Sequence, residues 1–292
     1  MKTKTVELVA APPSPHFVGD GFRVHNFIPG GFRMDMKRMD PFIMMDYNSK
    51  YVFPPATKPK GVGVHPHRGF ETVTIAYKGR VAHHDSGGGG GVIGEGDIQW
   101  MTAASGVLHK EYHEEAWSKK GGEFQMVQLW VNLPKKDKMS PPKYQAIKYD
   151  TINRVALENN AGTIEVIAGE YQGTLGVAST FSPVNMMNAK LKKGGKASFQ
   201  FPANFNTVLL AIEGSFIING TEQVPTDHLA LMANDGDQFE VEASEDSVIL
   251  VLSGEPLNEP IAAQGPFVMN TREEIAEAID DYNLGKFGHL ED

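Results

Sequence analysis

Cysteine is absent from the 292 residues. Its absence removes disulfides, thiolate zinc sites and cysteine nucleophiles together, so any metal must be held by imidazole and carboxylate. Long apolar runs are missing too. Nothing approaches the roughly 18 to 20 consecutive apolar residues that span a bilayer, and Leu8 to Ala11, closed in by Glu7 and Pro12, makes a poor secretory signal. The expected location is cytoplasmic, with no membrane association. Positive charge is also short: 27 Lys and Arg against 36 Asp and Glu leave a net charge of −9. With no dense basic run, a phosphate backbone would be repelled, which argues against direct nucleic-acid binding.

What is plentiful is turn chemistry. The chain holds 31 Gly and 18 Pro, and these separate short segments rich in Val, Ile, Phe and Tyr, a pattern that predicts an all-β fold. Examples are Glu71 to Tyr77, Ile98 to Thr102, Phe124 to Asn132, Thr207 to Ile212 and Ser247 to Ser253. Strands this short and frequent favour sandwiches or barrels. The length suits two cores of about 100 to 150 residues. The polar, proline-interrupted stretch 134–150 is the expected linker between a first domain over 1–133 and a second over 151–292. One C-terminal helix is expected within 270–287, capped by Thr271, with Ile275 and Ile279 on one face.

A weak internal repeat suggests duplication. Asp97-Ile-Gln-Trp-Met, continuing to His109, lies over Asp227-His-Leu-Ala-Leu, continuing to Phe239, at an offset of 130, while the turn glycine Gly79 matches Gly214 at an offset of 135. A longer loop in the first copy, at Gly87 to Gly91, would absorb the difference. That glycine run lacks the Lys-Ser/Thr of a phosphate cradle and reads as a hairpin loop.

Val64-His65-Pro66-His67 sets two imidazoles two residues apart, and Leu108-His109-Lys110-Glu111 repeats the spacing with an imidazole and a carboxylate. On extended chain the period of two points each pair to one face, so two strands offer three nitrogens and one oxygen. A lone His-x-His is more often a chance surface pair; the second pair and the repeat framing make the ligand reading competitive. His109 and His113 have helical metalloprotease spacing, but Lys110 stands where that motif needs Glu. His113 shares the strand face of His109 and Glu111, as a substitute ligand or a rim histidine. The other histidines, His83 and His84 among them, have no partner at useful spacing and read as surface or hydrogen-bonded side chains.

At these residues the sequence resembles the pirin family of the cupin superfamily. The segments that carry the resemblance are His65-Pro-His-Arg-Gly-Phe-Glu-Thr-Val-Thr, Gly96-Asp-Ile-Gln-Trp-Met-Thr-Ala, Gly106-Val-Leu-His-Lys-Glu, and Gly254-Glu-Pro-Leu-Asn-Glu-Pro-Ile with Gly265-Pro-Phe-Val-Met-Asn. The resemblance implies two tandem cupin (jelly-roll-like) β-barrels with a short C-terminal helix, and one divalent metal in the first barrel, held by His65, His67, His109 and Glu111. Glu71 sits where many cupins draw a ligand carboxylate, but the pirin pattern takes it from Glu111. Iron(II) is the expected ion, with Zn, Ni, Cu or Mn as alternatives in isolated protein because intrinsic affinity does not favour iron.

The activity implied is that of a quercetin 2,3-dioxygenase acting on a small aromatic substrate and dioxygen, with Glu111 as catalytic base. Phe70, Trp100 and Met101 are weighed as apolar walls, with ordinary core as the alternative. The rival function, also implied by the resemblance, is a non-catalytic, metal- and redox-sensing regulator that binds a protein partner. The second barrel is expected to be metal-free: counting from the turn glycines answers His65 and His67 with Gln200 and Pro202, and the 130 offset answers His109 and Glu111 with Phe239 and Val241.

Overall fold

Strand periodicity governs what each segment buries. In Val107–His113 the residues 107, 109, 111 and 113 are buried and those between are half-exposed, so the His-x-Glu pair does share one inward face. Gly61–His67 runs antiparallel to it with His65 opposite His109 and His67 opposite Val107. Pro66 is tolerated because Gly61–His67 is the edge of its sheet, where no partner needs the missing N–H.

The computed structural model describes residues 1–291, and these form two similar halves. In the first, a seven-stranded sheet that includes Phe70–Lys78, Ile98–Thr102, Gly122–Asn132 and Phe42–Phe53 faces a four-stranded sheet of Gly61–His67, Val107–His113, Val81–Asp85 and Gly90–Ile93. In the second, a seven-stranded sheet that includes Asn206–Glu213, Leu229–Met232, Ser247–Gly254 and Val184–Leu191 faces Lys196–Gln200, Gln238–Ala243, Phe216–Ile218 and Glu222–Val224. The expected barrels are therefore open. Each half is two hydrogen-bonded sheets packed face to face, not one sheet closed on itself.

The two large sheets also pack against each other. Val73, Ile75, Trp100, Val127 and Leu129 from the first meet Met186, Leu210, Leu231 and Leu252 from the second in one core. Strands buried on both faces explain the continuous apolar runs Val208 to Ile212 and Ile249 to Leu252, which do not alternate.

Both chain ends cross to the other half. Val6–Ala10 pairs with Leu229–Met232 in the second sheet, and the wholly buried Lys4 ammonium donates to the carbonyls of Ala203, Phe205 and Ala233. At the other end Phe267–Met269 lies against the turn that follows His67. Gly69 there has φ +92°, and a Cβ would stand 1.9 Å from the Val268 carbonyl oxygen, so only glycine fits. The helix Arg272–Asn283 begins in a capping box of Thr271 and Glu274 and docks through buried Arg68, which bonds Asp281 at 2.8 Å and lies over the Phe287 ring. Among the described residues no helix is long and apolar enough to cross a membrane.

Candidate metal centre

The fold draws His65, His67 and His109 together inside the first sandwich, with ring centroids 4.2 to 4.8 Å apart. His67, His109 and Glu111 are buried and His65 is half-exposed, so solvent reaches the cluster past His65. His65 Nδ1 is 2.8 Å from the Gly63 carbonyl and His67 Nδ1 is 3.4 Å from that of Pro266. A carbonyl only accepts, so both Nδ1 atoms carry a proton, which leaves Nε2 as the nitrogen that could face a metal. Pro266 belongs to the crossing C-terminal segment, which thereby orients a residue of the first site.

Among the described residues, His109 Nε2 is buried without a hydrogen-bond partner. Orphaned buried polar atoms are rare and ask for an explanation. Burial pushes the imidazoles of His67 and His109 well below their ordinary range, and the neighbouring histidine rings push the same way, so both are held neutral as lone-pair donors. The donor atoms of His65, His67 and His109 lie within 4.8 Å of one another, and so do those of His83, His109 and Glu111. This cluster could hold a metal.

Glu111 is fixed from the facing sheet. Its Oε1 accepts from Thr74 Oγ1 and Gln99 Nε2, both at 3.3 Å, and its Oε2 from Gln128 Nε2 at 2.7 Å. Glu71 is also buried but points the other way, as do its strand mates Val73 and Ile75, into the core between the halves. Thr102 Oγ1 donates to it at 2.7 Å. The strand period thus keeps this carboxylate out of the site.

Several single residues are placed by the structure alone. Phe70 packs on His67 at 5.0 Å and stacks on Trp130 at 4.2 Å, and Met101 shares the site's side of its sheet with Tyr144. Trp100 is no wall of the site, since it faces the core between the halves. His113 is neither ligand nor rim residue. Its Nε2 donates to the Gly21 carbonyl at 2.8 Å within a cage of Phe22, Phe53, Trp117 and Phe124, and burial lowers its pKa to about 4.

His83 is the residue that sequence reasoning missed. It is wholly buried beside His109, bonded to Gln99 at 2.8 Å and to Asp85 at 3.3 Å, so of the two readings given to it the surface one fails. Its signal was present, because His83-x-Asp85 repeats the imidazole and carboxylate spacing of His109-x-Glu111. The Gly87 to Gly91 run forms the hairpin tip beyond Asp85 and the start of the return strand Gly90–Ile93, and Asp85 Oδ1 accepts from the amides of Gly87 and Gly89 at 2.8 Å each. Burial alone would raise the Asp85 carboxyl, but the bonds from His83 and these amides outweigh it and hold it below the usual carboxylate range.

The second half gives an internal control on all of this. The pair His65 and His109 is answered in register by Phe199 and Phe239, with His67 answered by Phe201; these three rings pack 5.3 to 6.1 Å apart. The sequence count of Gln200 and Pro202 is one residue out, because the stretch from Phe201 to Leu209 is one residue longer than its counterpart in register, His67 to Thr74. Glu111 opposite His83 becomes Val241 opposite Ile218, and Thr74 between Gln128 and Gln99 becomes Leu209 between Val251 and Ala230. The same architecture is filled once with polar groups and once with apolar ones.

Comparison with known proteins agrees with this architecture along nearly the whole chain. Two family models match, Pirin over residues 21–131 and the Pirin C-terminal cupin domain over residues 186–288. A Pseudomonas aeruginosa protein provisionally named as a quercetin 2,3-dioxygenase is 48% identical over 93% of this chain and 94% of its own length, and Pirin from Homo sapiens is 36% identical over 92% and 89%. The crystal structure of quercetin 2,3-dioxygenase from Acinetobacter baumannii superposes with a TM-score of 0.92 at 48% identity, covering 99% of this chain and 100% of that one. Matched in both halves and at this identity, the chain belongs to the pirin family of the cupin superfamily.

Proposed function

We propose that His65, His67, His109 and Glu111 hold one divalent metal, iron(II) in the working protein, and that the chain is a dioxygenase opening the ring of a flavonol such as quercetin. The observation that carries the site is the internal control: every one of these positions is apolar in the second half, so the fold itself does not require polarity there. The donor set fits the ion. Three neutral imidazoles and one carboxylate suit a divalent first-row metal, and His109 Nε2 is the orphaned buried atom such an ion would satisfy. When bound, iron(II) supplies Lewis acidity and reactivity toward dioxygen. The substrate class rests on the relatives called quercetin 2,3-dioxygenase at 48% identity.

The protein's own groups then have separable tasks. Glu111 is our candidate for the base that takes the flavonol hydroxyl proton, with Thr74, Gln99 and Gln128 holding its carboxylate in place. Phe70 and Met101 are fully buried and back the site with apolar packing, and burial of three of the four proposed ligands keeps water from the inner side.

The test is anaerobic reconstitution with iron(II), elemental analysis of wild type and a His65→Ala/His67→Ala double variant, and oxygen uptake over a flavonol and enediol set. Wild type should hold about one iron per chain and the double variant almost none. Uptake should accompany ring opening in wild type alone. Stoichiometric iron in the double variant would sink the ligand assignment. Bound iron with no uptake on any substrate would sink the dioxygenase and leave metal-dependent partner binding as the function.

A further inference from the structure

We infer that His83 is a positioning residue of the metal centre, one that sets the tautomer of His109 and, through Gln99, the place of the Glu111 carboxylate. This rests on the metal reading above. His65 and His67 have backbone carbonyls to fix their protons. His109 has none: its Nδ1 faces His83 Nδ1 at 3.4 Å. Which of the two nitrogens carries the proton is decided on the far side of the His83 ring, where Nε2 meets Asp85 Oδ2 at 3.3 Å. That carboxylate only accepts, and the amides of Gly87 and Gly89 hold its other oxygen, so His83 Nε2 must carry the proton.

His83 Nδ1 meets the Gln99 amide nitrogen, which only donates, so this atom presents a lone pair. It accepts from Gln99 Nε2 at 2.8 Å, and it can face His109 Nδ1 only if that atom is the protonated one. The consequence is that His109 Nε2, the buried atom without a partner, keeps its lone pair for a metal. The same Gln99 amide nitrogen lies 3.3 Å from Glu111 Oε1, so one chain, Asp85 to His83 to Gln99 to Glu111, orients two of the proposed ligands. His83 itself is no ligand in this arrangement, because its one lone pair is shared between the near Gln99 amide and the more distant His109 Nδ1 proton. Tyr144 stacks on the ring at 5.4 Å and 14°, which fixes its plane.

The second half shows that none of this serves the fold, since Ile218 stands for His83 and Ala230 for Gln99. The experiment transplants those residues as His83→Ile and Gln99→Ala and uses cobalt(II) as the probe, reading its affinity by chelator competition and its ligand field by visible absorption. Both variants should fold, lose about 10- to 100-fold in cobalt affinity and show shifted visible bands. The double variant should lose less than the two single losses combined, because both act through one chain. A merely structural role would lower the melting temperature and leave the bands where they are. Wild-type affinity and bands in the folded variants overturn the inference while leaving the metal reading intact. A wild-type protein that takes up no cobalt overturns the metal reading, and the inference with it.

Discussion

Replacing Glu71 by glutamine should remove a loss of about 3 kcal/mol in stability that wild type suffers between about pH 4.5 and 7. Glu71 is 1% exposed, faces the core between the halves and has Thr102 Oγ1 as its close partner. Burial pushes its pKa from 4.5 up to about 7, against smaller opposing effects that include the Thr102 bond and the Lys143 charge. The native state therefore keeps a proton that the unfolded chain gives up near pH 4.5. Stability from this group is fully present below that pH, falls as pH rises toward 7 and is flat above. The gap between 4.5 and about 7, at about 1.4 kcal/mol per pH unit, gives the figure of about 3 kcal/mol.

Glutamine mimics the protonated acid, since its carbonyl oxygen can still accept from Thr102. Urea unfolding of both proteins at about pH 5, 6, 7 and 8.5 is the assay. The variant should exceed wild type by less than about 1 kcal/mol at the lowest pH and by about 3 kcal/mol at the highest. Asp40 and Asp46 are also raised by burial, but they titrate in both proteins and cancel in the difference. A difference that stays constant from pH 5 to 8.5 would refute the reasoning, because it would mean the buried carboxyl titrates alike in both states.

Phe239→Ala should destabilise by about 3 to 5 kcal/mol, since it opens the stacked cluster with Phe199 and Phe201, yet leave iron per folded chain unchanged; melting and iron content are measured on one sample, and normal melting with lost iron would contradict the division of labour between the halves. Glu111→Gln should lower turnover by about 10² to 10⁴ with little change in melting, the amide being a near-isostere that cannot serve as a carboxylate base. Iron content must be read alongside, and full iron with full turnover would remove Glu111 from the base role.

The site was legible where its signal is local. Two residues apart on one strand is a statement about one face, so His65 with His67 and His109 with Glu111 could be paired from spacing alone. The same rule held unread in His83-x-Asp85, because His83 finds its other partners on different strands, Gln99 in Ile98–Thr102 and His109 in Val107–His113. Long-range register was harder. A stretch one residue longer from Phe201 to Leu209 moved the expected counterparts from Phe199 and Phe201 to Gln200 and Pro202, and a slip of one residue exchanges inward and outward faces. Nothing local signals that Val6–Ala10 pairs with a strand beginning at Leu229, or that Pro266 orients His67.

The match between the halves also bears on what the buried and half-buried polar groups of the first sandwich are for. If Thr74, His83, Gln99, Glu111 and Gln128 were needed to build a sandwich of this size, the second half would need their equivalents, yet it packs Leu209, Ile218, Ala230, Val241 and Val251 in the same registers. Each apolar side chain larger than alanine in that set contributes about 1.5 to 3 kcal/mol by leaving water. A buried polar group nets only about 0.5 to 1.5 kcal/mol per hydrogen bond once its desolvation is counted. Apolar side chains in these registers therefore suffice to hold this backbone. The first half keeps instead an imidazole cluster, a carboxylate held by three side-chain donors and a buried His83–Asp85 pair, none of which the backbone itself requires.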